Sequence, residues 1–121
     1  MLGNEWYIGY TRSVATAQRR REEYEVEFTE EDTLKVSFDR VKEKVVQFSV
    51  QYLALIKEKW HPVVRMDTAH GSAHIDTMEP DGSQTKTKLE IQDYNEALTW
   101  SINDVKNRWE FYRQRYERWM K

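Results

Sequence analysis

Twelve residues, Arg65 to Asp76, hold one Arg, two Asp and two of the three His in the chain. These side chains together can move protons and hold a phosphate. An imidazole titrates near neutral pH and can act as acid or base. A guanidinium grips a phosphate through two donors and stabilises charge developing on it. A carboxylate can orient a neighbouring ring. Arg65, Asp67, His70 and His74 are therefore candidate catalytic residues for metal-independent cleavage of RNA at a 2′-hydroxyl. Two His with Asp67 or Asp76 could instead bind a metal. His70 and His74 are four apart, but Gly71 between them argues against a continuous helix, so this is not a helical zinc pair. A purely structural reading also stands: a cross-strand salt bridge from Arg65 to an Asp, with His70 capping a tight turn at Gly71. Of the two chemical readings the metal-independent site is expected, with no cofactor or metal; on the residues alone the structural reading stands ahead of both.

Such a cluster needs strands to assemble it. Side chains alternate between the faces of a strand. Arg65 and Asp67 then share one face, with Val64 and Met66 on the other. After a turn at His70-Gly71, His74 and Asp76 share a face opposite Ala73 and Ile75. If the two strands pair as a hairpin, Arg65, Asp67, His74 and Asp76 meet on one polar surface with His70 at its end.

The flanking sequence supplies more strands. Tyr24, Val26 and Phe28 alternate with Glu23, Glu25 and Glu27, as in a half-buried strand. Thr29-Glu30-Glu31-Asp32 suits a turn, and Leu34, Val36 and Phe38 alternate again. Residues 44–57 fit a strand, with Val46, Phe48, Val50, Tyr52, Ala54 and Ile56 on one face. They also fit a helix through Val41, Val45, Phe48, Tyr52 and Leu55, but their β-branched and aromatic content favours the strand. Lys57 to Pro62 should turn the chain back into Val63–Thr68. Met78-Glu79-Pro80-Asp81-Gly82-Ser83 is a strong turn signal, and Thr85, Thr87 and Leu89 mark a last strand. Trp6, Ile8 and Tyr10 alternate as a short edge strand would. Residues 1–22 read as an edge strand or a loosely packed basic segment.

The last element should be a long helix. Asp93 is an N-cap, with Glu96 three residues later. Tyr94, Leu98, Ile102, Val105, Trp109, Tyr112, Tyr116 and Trp119 then recur at steps of three and four. Trp109 should be buried against the sheet. The stripe runs some 40 Å at about 1.5 Å per residue, whereas a strand of average length spans about 17–20 Å. The C-terminal end should overhang. Tyr116 and Trp119 would then be left exposed for a homo-oligomer or partner contact bordered by Arg113, Arg115 and Arg118.

Composition limits the function classes. A chain of 121 residues fits a single domain, 1–121. Charged residues make up 33%, but five Trp and seven Tyr argue against disorder. There is no Cys, which excludes disulfides, thiolate chemistry and Cys-based zinc sites. No signal peptide or membrane-length apolar run is evident, so a cytoplasmic protein without membrane association is expected. Net charge is −2, but its sign varies along the chain. Arg12, Arg19, Arg20 and Arg21 precede a run of acids from Glu22 to Asp32, and residues 106–121 carry six bases against two acids. Arg19, Arg20, Arg21, Arg113 and Arg115 are candidate nucleic-acid contacts. The chain contains no phosphate-binding Gly-rich loop, no Gly-x-Ser-x-Gly and no dinucleotide fingerprint.

The segment Arg65-Met66-Asp67-Thr68-Ala69-His70-Gly71, then His74, then Pro80-Asp81-Gly82, resembles the TumE-like toxin group of prokaryotic toxin–antitoxin systems. Members carry an Arg-Tyr-Asp-Asn strand, a His-rich turn and a C-terminal helix. The resemblance covers roughly residues 44–90, with the helix matched only by pattern. Met66 stands where Tyr is expected, Thr68 where Asn is, and the downstream His cluster is reduced to His74. Only Arg65, Asp67, His70 and His74 match. The resemblance implies a toxin that acts on RNA and pairs with an antitoxin. The expectation is therefore an α+β domain, an antiparallel β-meander of five or six strands packed against a long C-terminal helix. Its leading function is that of an RNA-acting toxin-like protein. The rivals are a non-catalytic interaction or nucleic-acid-binding module and a structural homodimer joined through the C-terminal helix.

Overall fold

The computed structural model describes residues 18–120. The alternation at Trp6, Ile8 and Tyr10, and most of the basic segment 1–22, lie outside the described residues. The chain forms six strands and one long helix: β1 Arg19–Thr29, β2 Asp32–Val41, β3 Lys44–Ile56, β4 Lys59–Asp67, β5 His74–Met78, β6 Gln84–Lys88 and α1 Tyr94–Arg118. The strands pair in chain order as one antiparallel meander. This is the expected α+β arrangement. Residues 44–57 form a strand and its closing turn, as their β-branched and aromatic content predicts. The turn after β3 is tighter than expected. Only Lys57 and Glu58 lie between Ile56 and Lys59, and both have positive φ.

The alternating residues do separate onto two faces. Leu34, Val36, Phe48, Val50, Tyr52, Ala54, Val64 and Met66 are buried on the helix side. Three register shifts break the alternation. The first is in β1, where Glu27 pairs with Thr33 but Thr29 with Asp32, so Phe28 is extra. Asp39 pairs with Gln47 but Arg40 pairs with Val45, so Val46 is extra and Val45 is the residue turned into the core. Tyr52 pairs with Val64 but Leu53 pairs with Pro62, so Val63 is extra. A bulge adds one residue to one strand and bends it. That lets Val63 and Val64 both be buried, though they are sequence neighbours.

Asp93 caps α1, accepting hydrogen bonds from the Asn95 and Glu96 backbone N–H groups at 2.8 and 3.3 Å. Leu98, Val105, Tyr112 and Tyr116 point into the core. Trp109 is half-buried, stacked on Phe28 at 5.5 Å and edge-on to Tyr52 at 6.1 Å. The expected overhang is only partly realised. Trp119 is 62% exposed, but Tyr116 is buried, its hydroxyl 3.2 Å from His61 Nδ1. The reason is strand length. β3 has 13 residues and spans about 43 Å at roughly 3.3 Å each, enough to underlie the 25-residue helix. No described helix is long and apolar enough to cross a membrane.

One helix cannot cover six strands. Strands lie about 4.8 Å apart, so the sheet is about 24 Å wide, against a helix diameter of about 10–12 Å. α1 lies along β3, with smaller contacts to β4 and β2. The opposite face carries Arg65, Asp67, His74 and Asp76, and no described element packs over it.

Candidate functional site

The candidate site forms where β4, β5 and β6 lie side by side. Arg65 stands opposite Asp76, and Asp67 opposite His74. Lys86 and Lys88 follow on β6, opposite Asp76 and His74. On the other side of β4, Gln51 faces Arg65 and Ser49 faces Asp67. The hairpin places Arg65, Asp67, His74 and Asp76 on one polar surface, as alternation requires.

Asp76 is its centre. It is 1% exposed and receives Arg65 Nη2 and Lys86 Nζ, each at 2.9 Å. Burial alone would raise its pKa. Hydrogen bonds and charge from Lys86 and Arg65 outweigh that and hold it below the usual carboxylate value. Arg65 Nε lies 2.9 Å from Asp67 Oδ2, but its buried N–H is not aimed at an acceptor among the described residues. The Arg65–Asp salt bridge of the structural reading is thus present. Arg65 serves two carboxylates, and Lys88, opposite His74, forms no ion pair among the described residues.

The two histidines differ. His74 is half-buried. Its Nε2 lies 3.4 Å from Ser72 Oγ, and its Nδ1 is buried with no hydrogen-bond partner among the described residues. His70 sits in a short 3-10 turn, Ala69–Gly71, and is exposed. His70 and Gly71 have φ of 67° and 86°, in the left-handed region where Gly is at ease and His is strained. The turn is anchored at Thr68, whose Oγ1 accepts the Phe48 N–H at 3.0 Å. His61, the third histidine, packs on Tyr116 on the helix side, away from the cluster.

An open groove of about 1160 Å³ adjoins the turn. The β2–β3 turn and the β6–α1 connection form its walls. Ser72, Ala73, Lys88, Leu89, Ile91 and Tyr94 are among its lining residues. Ser72 thus touches both His74 and the groove. Among the described residues, no group of three or more His, Asp or Glu is arranged to hold a metal ion.

The five arginines expected to contact nucleic acid are spread over the molecule. Arg19 donates to Asp39 at 2.7 Å and to Gln47 at 2.9 Å. Arg21 reaches Glu23 at 2.7 Å and Asp39 at 3.0 Å. Arg20 is exposed and forms no ion pair among the described residues. Arg115 grips Glu79 with two nitrogens, at 2.7 and 3.4 Å. Arg113 is the most committed. It donates to Asp32 at 2.7 Å, to the Leu55 carbonyl at 3.0 Å and to Glu117 at 3.3 Å.

Sequence reasoning missed Ser72, Lys86 and Lys88 as members of the cluster. The lysines could have been found, because Lys86 and Lys88 alternate with Thr85 and Thr87 and so share a face. Ser72 carries no such signal, since it lies in the turn.

No curated protein and no solved structure matches the chain. A family model described as a domain of unknown function, DUF7718, matches residues 18–121, and the chain belongs to that family.

Proposed function

We propose that this protein acts on RNA as a small prokaryotic toxin-like ribonuclease, by metal-independent acid–base chemistry. The observation that carries this reading is the meeting of His74, Arg65 and Asp67 on an open sheet face beside a groove. His74 is the proton-transfer group, with Ser72 against its ring. Lys88, opposite His74, and the outer side of Arg65 provide positive charge for a phosphate. Asp67 steadies Arg65. His70, at the exposed turn, is the second candidate acid or base. An antitoxin would be the partner that holds the activity in check, and Trp119 and Phe111 are the exposed aromatics it could cover.

A second reading has its own support. Asp76 is neutralised by Arg65 and Lys86, while Arg19, Arg21, Arg113 and Arg115 all hold carboxylates of their own chain. A polar face so well paired suits a non-catalytic interaction or nucleic-acid-binding module. Incubating the purified chain with single-stranded RNA in the presence of a chelator separates the two. Cleavage is expected, and His74→Ala should reduce it about 10²–10⁴-fold while the protein stays folded. RNA that is bound but never cut leaves the binding module. Equal cleavage by wild type and the His70→Ala/His74→Ala variant would remove the histidine mechanism.

A further inference from the structure

The sheet ends in two outer strands with opposite prospects. β6 is five residues long and its only charges are Lys86 and Lys88. A second copy laid antiparallel along it would meet like charge. β1 is 11 residues long, and among the described residues nothing pairs with its outer side. A free strand edge is a row of backbone donors and acceptors that can take another strand.

The charges of β1 are sorted by sign along the strand. Arg19, Arg20 and Arg21 come first, and Glu22, Glu23, Glu25 and Glu27 follow. A strand with bases at one end and acids at the other is complementary to its own antiparallel copy. Opposite charges directly across a strand pair stabilise it and like charges destabilise it.

We propose that β1 is a homodimer edge, where two copies pair antiparallel about a twofold axis at Glu22 and join their sheets. Arg21 then lies opposite the partner's Glu23, and Arg19 opposite the partner's Glu25. All four of these side chains project from the open face. They are 53%, 64%, 53% and 61% exposed respectively. Arg21 already pairs with Glu23 of its own chain, and Arg19 and Arg21 with Asp39, so the contacts across the axis share or exchange these solvent-facing pairs. On the helix side Arg20 lies opposite the partner's Tyr24. This gives the Arg20 guanidinium, which has no ion pair among the described residues, a ring to stack on and covers a tyrosine that is 42% exposed. Glu22 meets its own copy at the axis. Each Glu22 is already neutralised by Arg40 of its own chain at 3.1 Å, which removes the repulsion.

Sedimentation of the full chain at micromolar concentration, with two charge-swapped variants, tests this. The wild type should be a dimer that dissociates as salt rises. Arg19→Glu/Arg21→Glu makes the four facing positions 19, 21, 23 and 25 all acidic, and Glu23→Arg/Glu25→Arg makes those four all basic. Each variant alone should dimerise more than about tenfold more weakly, because the 19–25 and 21–23 pairs are now of like charge. Mixed in equal amounts, the two should form a heterodimer, since each facing pair is then Arg with Glu. Circular dichroism checks that each variant keeps the fold, since Arg19 and Arg21 also pair with Asp39; the Glu23→Arg/Glu25→Arg variant leaves those two pairs in place. A monomeric wild type would overturn the proposal. So would variants that dimerise as well as wild type, or a mixture that fails to associate.

Discussion

Arg113, near the end of α1, and Asp32, the first residue of β2, form a 2.7 Å ion pair across 81 positions of sequence. Asp32 is 3% exposed and also accepts the hydroxyls of Tyr52 and Thr29, each at 2.5 Å. Burial alone would raise the pKa of Asp32. The hydrogen bonds from Thr29, Tyr52 and Arg113 overcome it, so the carboxyl stays below its ordinary value. Burial, and then the bond to Asp32, push the Tyr52 phenol the other way, above its ordinary value. One guanidinium thus ties the helix to the β1–β2 turn and, through the Leu55 carbonyl, to the end of β3.

Removing that guanidinium should be costly. Arg113→Met keeps the apolar stem but leaves a buried carboxylate with only hydroxyl partners. A loss of about 3 kcal/mol is expected, in the range for breaking a buried ion pair. Asp32→Asn in the same background should recover part of it, because the amide carries no charge to strand. Urea denaturation of the single and double variants measures the coupling. Additive costs would mean that the two groups do not depend on each other.

The pairing of Asp76 with Arg65 and Lys86 should appear in the pH dependence of stability. A carboxyl whose folded pKa lies below its unfolded value near 3.9 stabilises the fold above that value. The contribution disappears as pH falls through the folded pKa. Asp76→Asn should therefore cost about 1–3 kcal/mol at neutral pH, as for hydrogen bonds to charged groups. Wild type and variant should converge below about pH 4. A gap that is the same at pH 7 and pH 3 would mean that charge plays no part.

The sequence makes the alternating parts of the fold legible and leaves the long-range pairings hidden. Val64 and Met66 against Arg65 and Asp67 separate by hydropathy alone, and this foretells which face carries the polar cluster. Asp93 and the aromatic stripe mark α1 in the same local way. The bulges at Val46 and Val63 cannot be read from one strand, because each depends on register against a neighbour. Asp32 resembles a turn residue because its burial comes from Tyr52 and Arg113, both distant in sequence. Tyr116 is buried because β3 has 13 residues, twice the usual strand length. The Arg65–Asp76 pair follows once a hairpin is assumed. Ser72 against His74 depends on the geometry of a left-handed turn that only Gly71 hints at.

The β3–β4 turn is closed by residues poorly suited to it. Lys57 and Glu58 have φ of 52° and 68°, and Ile56 pairs with Lys59 across them. Two-residue hairpin turns with positive φ at both positions favour Asn-Gly. An ordinary side chain in the left-handed region costs roughly 1–2 kcal/mol. Both side chains are exposed and form no hydrogen bond among the described residues, so replacing them breaks no contact. Lys57→Asn/Glu58→Gly should relieve most of that cost. The extra freedom of Gly in the unfolded chain takes back roughly 0.5–1 kcal/mol. The net gain should be about 1 kcal/mol, or roughly 4 °C in the midpoint of thermal unfolding for a domain of this size. The reverse test is Glu58→Val. A β-branched residue resists positive φ, so this change should lower the midpoint by a similar amount. If both variants melt with the wild type, these two residues are not held in the left-handed region.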